Sequence, residues 1–118
     1  MATVKAHLKS QQLDTPIIVA GGIQTFEQAE SVLQAEQGDI IGSARQSLAD
    51  PDWFLKMKLG KGIEIRRCAL TNYCEALDTR HKEVTCRLWD RVDIEEPGVR
   101  KSIDGRRRLT PPRSVLVN

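Results

Sequence analysis

The chain has 118 residues, enough for one small domain, and its 18 basic and 16 acidic side chains nearly cancel to a formal charge of +2, too little to argue for nucleic acid or a membrane surface. Only 4% of residues are aromatic against 40% hydrophobic overall, so a core must rest on Ile, Leu, Val and Ala, a thin supply for a self-sufficient domain. Lys5, His7 and Lys9 break up the first dozen residues, and the longest apolar run, residues 16–23, is far shorter than the roughly 20 a membrane helix needs. A cytoplasmic protein is expected, whose three cysteines read as thiols or metal ligands rather than as a disulfide framework.

In chain order, Val4, Leu8 and Leu13 are spaced like the apolar side of a helix that Asp14-Thr15-Pro16 ends. Ile17-Ile18-Val19-Ala20 has no polar alternation, as in a parallel strand buried on both faces, and Gly21-Gly22 stops it. Thr25 and Gln28 form a capping box ahead of Phe26, Ala29, Val32 and Leu33, which predicts a helix over residues 26–35. Asp39-Ile40-Ile41-Gly42 is a second short buried strand, so the unit is β-α-β. Asp50-Pro51 offers an N-cap and a first-turn proline to a helix carrying Trp53, Phe54, Leu55 and Met57, with Gly60 as its stop. Residues 61–92 bear the cysteines without clear periodicity, and residues 93–118 mix Pro, Gly and charge like an extended basic tail.

Two parallel strands cannot form an independent sheet with both faces covered. The expected class is α/β, with residues 1–60 as about the last two βα units of a (β/α)8 TIM barrel, a fold of about 250 residues. Either a missing N-terminal barrel portion or a partner chain supplies the rest. Glycines after a buried parallel strand let backbone N–H groups approach a phosphate. Gly21-Gly22 meets that description, and Gly42-Ser43-Ala44-Arg45 adds small residues and a fixed charge at the end of the second strand. Taken alone each is a tight turn or a surface residue; as a pair on adjacent strands they match the phosphate site of barrel loops 7 and 8.

Residues 16–23, the run Asp39-Ile40-Ile41-Gly42-Ser43-Ala44-Arg45 and the run Leu48-Ala49-Asp50-Pro51-Asp52 resemble the end of the old yellow enzyme family. The resemblance implies an FMN-dependent NAD(P)H oxidoreductase acting on a small-molecule substrate. It carries the FMN phosphate contacts to Gly21, Gly22, Ala44 and Arg45, where the family usually has Gly in place of Ala44. The family's substrate-polarising histidines and proton-donating tyrosine lie earlier in the barrel. No catalytic residue is therefore expected here, and neither His7 nor His81 is supported as one.

The segment Arg67-Cys68-Ala69-Leu70-Thr71-Asn72-Tyr73-Cys74, followed by Cys86, resembles the four-cysteine iron–sulfur motif of the trimethylamine dehydrogenase and 2,4-dienoyl-CoA reductase branch. Thr71 stands where that motif has its second cysteine, and a hydroxyl is a poor replacement for a thiolate on iron. The expectation is a degenerate site at Cys68, Cys74 and Cys86, without an intact 4Fe-4S cluster and with a labile or three-iron cluster as the fallback. The same thiols could also be packing residues. With His81 they formally offer a zinc set, which would make the chain a small Cys/His metal-binding or basic interaction module. A piece of another phosphate-binding barrel is a third reading. Arg106-Arg107-Arg108 reads as solvated, since no stacking aromatics or reader fold accompany it.

Overall fold

The computed structural model describes residues 3–113, which form two compact units divided after Ala44. The first runs helix α1 (Thr3–Ser10), strand β1 (Ile18–Ala20), helix α2 (Phe26–Gln34), strand β2 (Ile40–Gly42). The strands pair in parallel, Ile18 with Ile40, Val19 with Ile41 and Ala20 with Gly42, so the expected β-α-β unit is what forms.

Local chemistry accounts for each boundary. The Thr25 hydroxyl accepts from the Gln28 amide at 3.1 Å, while the Gln28 side-chain oxygen accepts from the amides of Thr25 and Gln24 at 3.2 and 2.8 Å. Three N-terminal donors of α2 and its approach are thereby satisfied. Thr25→Ala should lower stability by about 1 kcal/mol, read as a shift in the urea midpoint with unchanged slope. Asp39 opens β2 and ties it to both neighbours: its carboxylate accepts from Lys5 Nζ at 2.7 Å and from the Ile17 amide at 2.9 Å. The Lys5 bond, then the Ile17 amide, hold this carboxyl below its ordinary range. Gly38 lies under β1, where an added Cβ would run into Val19 Cγ2, so a side chain at this turn would force Val19 to shift.

The strands are not buried on both faces as their composition predicts. Ile18 and Ile40, which face each other across the ladder, are 65% and 50% exposed. Alternation puts them on the same side of the two-stranded sheet, and the described residues of this unit leave that side largely open.

The second unit contains α3 (Arg45–Ala49), α4 (Trp53–Lys58), a 3-10 turn (Gly62–Glu64) and α5 (Tyr73–Thr79). Ala49, Trp53, Leu77 and Trp89 are its buried apolar centre. Both indoles find acceptors, Trp53 Nε1 at Ser47 Oγ (3.2 Å) and Trp89 Nε1 at the Leu48 carbonyl (3.3 Å), as buried Trp N–H groups require. Helices α3 and α5 are additions to the sequence reading.

Asp50 does not cap α4. Asp52 holds that position without a side-chain bond, and Asp50 is instead a buried hub. Its carboxylate accepts from Lys56 Nζ at 2.6 Å, the Arg66 amide at 2.9 Å and the Asp52 amide at 3.1 Å. Lys56, itself buried, also donates to the Glu64 carbonyl at 3.1 Å. One carboxylate thus fixes α4 and the chain entering the cysteine segment.

The basic triplet differs from its reading as a solvated run. Arg106 is exposed, but Arg107 and Arg108 are 6% and 3% exposed. Arg108 donates to the Val92 carbonyl at 2.6 Å and reaches Glu96 at 3.3 Å, and its own carbonyl accepts from the buried Thr85 hydroxyl. Arg107 pairs with Asp104 at 3.2 Å. A guanidinium is tolerated inside when its fork of donors is met by carbonyls and carboxylates. The segment otherwise lacks regular structure, apart from an isolated antiparallel bridge between Lys101 and Arg108. Among the described residues no helix is long and apolar enough to cross a membrane.

Candidate functional site

Because β1 and β2 pair in parallel and in register, their C-terminal ends lie side by side, with Ala20 opposite Gly42. The loops that carry Gly21-Gly22 and Ser43-Ala44 therefore leave from the same end of the sheet. Gly21 and Gly22 have φ of +106° and +71°, and an added Cβ at either would meet nothing within 4 Å. Backbone conformation, not crowding, requires glycine there. Ala44 is not among the residues with positive φ, so alanine in place of the usual glycine adds no strain. Its amide is as able to donate as that of glycine.

Arg45 opens α3 and the second unit. Its guanidinium is exposed and donates to Asn72 Oδ1. Asn72 has a left-handed backbone, φ 57°, which Asn tolerates better than most residues. Sequence reasoning passed over Asn72; its one available signal was an Asn between two cysteines in a segment without periodicity.

The three cysteines line one cavity of about 350 Å³ within the second unit, together with Thr71, Arg45 and Arg87. The walls are held from α3. Gln46, 3% exposed, accepts from the Cys68 amide at 2.8 Å and donates to the Arg66 carbonyl at 2.8 Å. Between Cys68 and Cys74 the chain reverses through two left-handed residues, Leu70 (φ 56°) and Asn72 (φ 57°), on either side of Thr71. For leucine that conformation costs on the order of 1–3 kcal/mol. The Leu70 amide points back to Cys68 Sγ at 3.4 Å and the Tyr73 amide to Thr71 Oγ1 at 3.3 Å. Tyr73 anchors the far side: its hydroxyl donates to Asp90 at 2.9 Å, and Arg87 lies over its ring at 5.7 Å. Burial, then the Asp90 bond, push the tyrosine hydroxyl above its ordinary range.

None of the cysteines forms a disulfide. Burial pushes the Cys86 thiol up against the Leu88 amide that favours its thiolate, and the neighbouring Cys68 and Cys74 push it the same way. The formal zinc set is not assembled. His81 is exposed and is not part of the cavity wall, and among the described residues no three His, Cys, Asp or Glu side chains come together to hold a single metal ion. His7 is exposed on α1.

Several known proteins are similar to part of this chain. The bilirubin reductase of Mediterraneibacter gnavus (strain CC55_001C) is 34% identical over 79 residues, 66% of this chain and 12% of the relative. The NADH oxidase of Thermoanaerobacter brockii is 35% identical over 60 residues, 51% of this chain and 9% of the relative. The metal reductase of Desulforamulus reducens (strain ATCC BAA-1160 / DSM 100696 / MI-1) is 36% identical over 77 residues, 64% of this chain and 12% of the relative. The chain thus spans only 9% to 12% of the length of these relatives. No solved structure gives a significant match. The profile of one family covers residues 2–64, more than half of the chain and all of the β-α-β unit with α3 and α4, and on that match the chain belongs to the NADH:flavin oxidoreductase / NADH oxidase family.

Proposed function

We propose that this chain is the closing portion of a (β/α)8 barrel flavoenzyme and that its own task is to grip the FMN phosphate. The amides of Gly21, Gly22 and Ala44 donate to phosphate oxygens, and Arg45, next in the chain, supplies a charge-assisted fork. The observation that carries the reading is the parallel, in-register end of β1 and β2, which sets two small-residue loops next to each other, one of them with two successive positive-φ glycines. FMN, when bound, supplies the hydride chemistry, taking it from NADH or NADPH and passing electrons to a small organic substrate. This chain's residues bind and orient; none is assigned a proton or hydride step.

The remaining barrel comes from a missing N-terminal portion or a partner chain. The exposed Ile18 and Ile40 face and a sheet of only two strands support this, since a parallel sheet is stable only with both faces covered. The chain by itself lacks walls for the flavin ring, and a phosphate grip alone leaves most of the cofactor in water. Purified alone, it should come through dialysis colourless and show no saturable FMN quenching in the submicromolar range. A yellow chain titrating with submicromolar affinity would show that the site is complete within these residues.

A further inference from the structure

Asn72 stands immediately before helix α5, where asparagine commonly caps the helix by accepting from an amide of its first turn. A cap of that kind sits in extended backbone, whereas Asn72 is left-handed, with φ of 57°, and makes no cap bond. Its Oδ1 accepts instead from Arg45 Nη1, 27 positions earlier. An arginine on a surface ordinarily keeps its rotamer freedom and loses it only on meeting an anion. Arg45 is exposed and yet already tied. Both ends of the tie are anchored. Beside Arg45, the buried Gln46 accepts from the Cys68 amide and donates to the Arg66 carbonyl, each at 2.8 Å, which fixes α3 against the chain leading to Asn72. Beside Asn72, the Tyr73 hydroxyl donates to Asp90 at 2.9 Å.

We propose that Asn72 is a positioning residue that preorganises Arg45 for the FMN phosphate. The inference rests on the phosphate reading of Arg45 and adds to it a residue beyond the 2–64 span that the family profile covers. The order that binding would otherwise impose on the side chain is imposed when the second unit folds, so less freedom is lost when the phosphate arrives. A neutral amide oxygen suits this task better than a carboxylate. It holds one guanidinium nitrogen without cancelling the charge, and a guanidinium with five N–H donors keeps a fork for two phosphate oxygens.

The first arm of the test uses the whole 118-residue chain without flavin. Nitrogen relaxation should report an ordered Arg45 Nε–H in the native chain, and in Asn72→Gly its order parameter should fall below about 0.6, the range of mobile groups. Glycine keeps the left-handed backbone, so the urea midpoint read by Trp53 and Trp89 should hardly move. Asn72→Asp keeps both the backbone and the acceptor and should leave Arg45 ordered. The second arm is a flavoenzyme of this family with its matching segment exchanged for the whole chain. There Asn72→Gly should weaken FMN affinity about two- to fivefold, the scale on which ordering one long side chain counts against binding. In a copy that already carries Arg45→Ala it should have no effect. An effect of the same size in both copies is what a merely structural role would give, and it would overturn the proposal. So would an Arg45 side chain equally ordered in the native and Asn72→Gly chains, or one that loosens in Asn72→Asp. If Arg45→Ala leaves FMN affinity unchanged while Asn72→Gly still frees the side chain, the phosphate reading fails and the tether does not.

Discussion

Replacing Asp50 by alanine should destabilise the second unit by about 3–5 kcal/mol, the loss expected when one partner of a buried ion pair is removed and the other is left unpaired. That is a large fraction of the roughly 5–15 kcal/mol that holds a domain together. The Asp50 side chain is fully buried and the Lys56 side chain is 5% exposed, so the stranded ammonium has no easy route to water. The amides of Arg66 and Asp52 would lose their acceptor in the same step. Trp53 and Trp89, buried in this unit, report its unfolding by fluorescence, and a urea midpoint shift equivalent to less than about 1 kcal/mol would mean the hub is not a source of stability. The pH dependence follows with a definite sign. Burial alone would raise the Asp50 carboxyl, but the Lys56 bond and the Arg66 amide outweigh it and hold the group below its ordinary value of 3.8. Its contribution is therefore complete above that value and is lost as pH falls through the depressed one. Acid unfolding should begin only below the ordinary carboxylate range, and Asp50→Asn should flatten that limb.

Arg45→Ala, placed in a flavoenzyme of this family whose matching segment has been exchanged for residues 2–64 of this chain, should weaken FMN retention by about 10- to 150-fold. That is the equivalent of roughly 1.5–3 kcal/mol for a hydrogen bond to a charged group. Arg45→Lys should recover only part of the loss, because a lysine keeps the charge without the planar fork. In the chain itself the guanidinium is held by Asn72, which calls for a second comparison. Asn72→Gly, which suits the left-handed backbone, removes that tether while leaving the charge in place. In the same flavoenzyme with all 118 residues exchanged, it should change FMN retention far less than Arg45→Ala does there. Equal effects of the two would mean that Arg45 acts by ordering its own unit.

The parts of the fold legible in sequence are those whose cause is local. The capping box at Thr25 and Gln28, the β-branched runs of the two strands and the glycines that end them all act within four residues, and each was readable. Asp50 looked like a helix cap because Asp-Pro is a local signal. Its real partners, Lys56 and Arg66, lie six and sixteen positions away, beyond any local pattern. Arg108 looked solvated for the same reason, since the Val92 carbonyl and the Glu96 carboxylate that accept from it are distant in sequence. Helix α5 escaped notice because it buries only Leu77, which leaves no periodic stripe. The strands misled in the opposite direction: their composition describes a sheet with both faces covered, and Ile18 and Ile40 stand exposed in a unit that holds two strands of it. The two small-residue loops at one end of the paired strands were legible because glycine closes each apolar run, and the cysteine trio was legible as a motif. That the three thiols share one cavity wall with Thr71 required the fold.

Flavin content tests most directly whether residues 2–64 form a working FMN-phosphate segment. The NADH oxidase of Thermoanaerobacter brockii, a relative at 35% identity, should be prepared with its matching segment replaced by these residues. Its flavin should be measured by absorbance after gel filtration, beside a copy in which Gly21 and Gly22 are both valine. We expect the exchanged enzyme to retain flavin at the level of the parent, and the valine pair, which can neither adopt positive φ easily nor let phosphate approach the backbone, to lose most of it. A folded exchanged enzyme that elutes without flavin, or a valine pair that stays as yellow as the parent, would contradict the account.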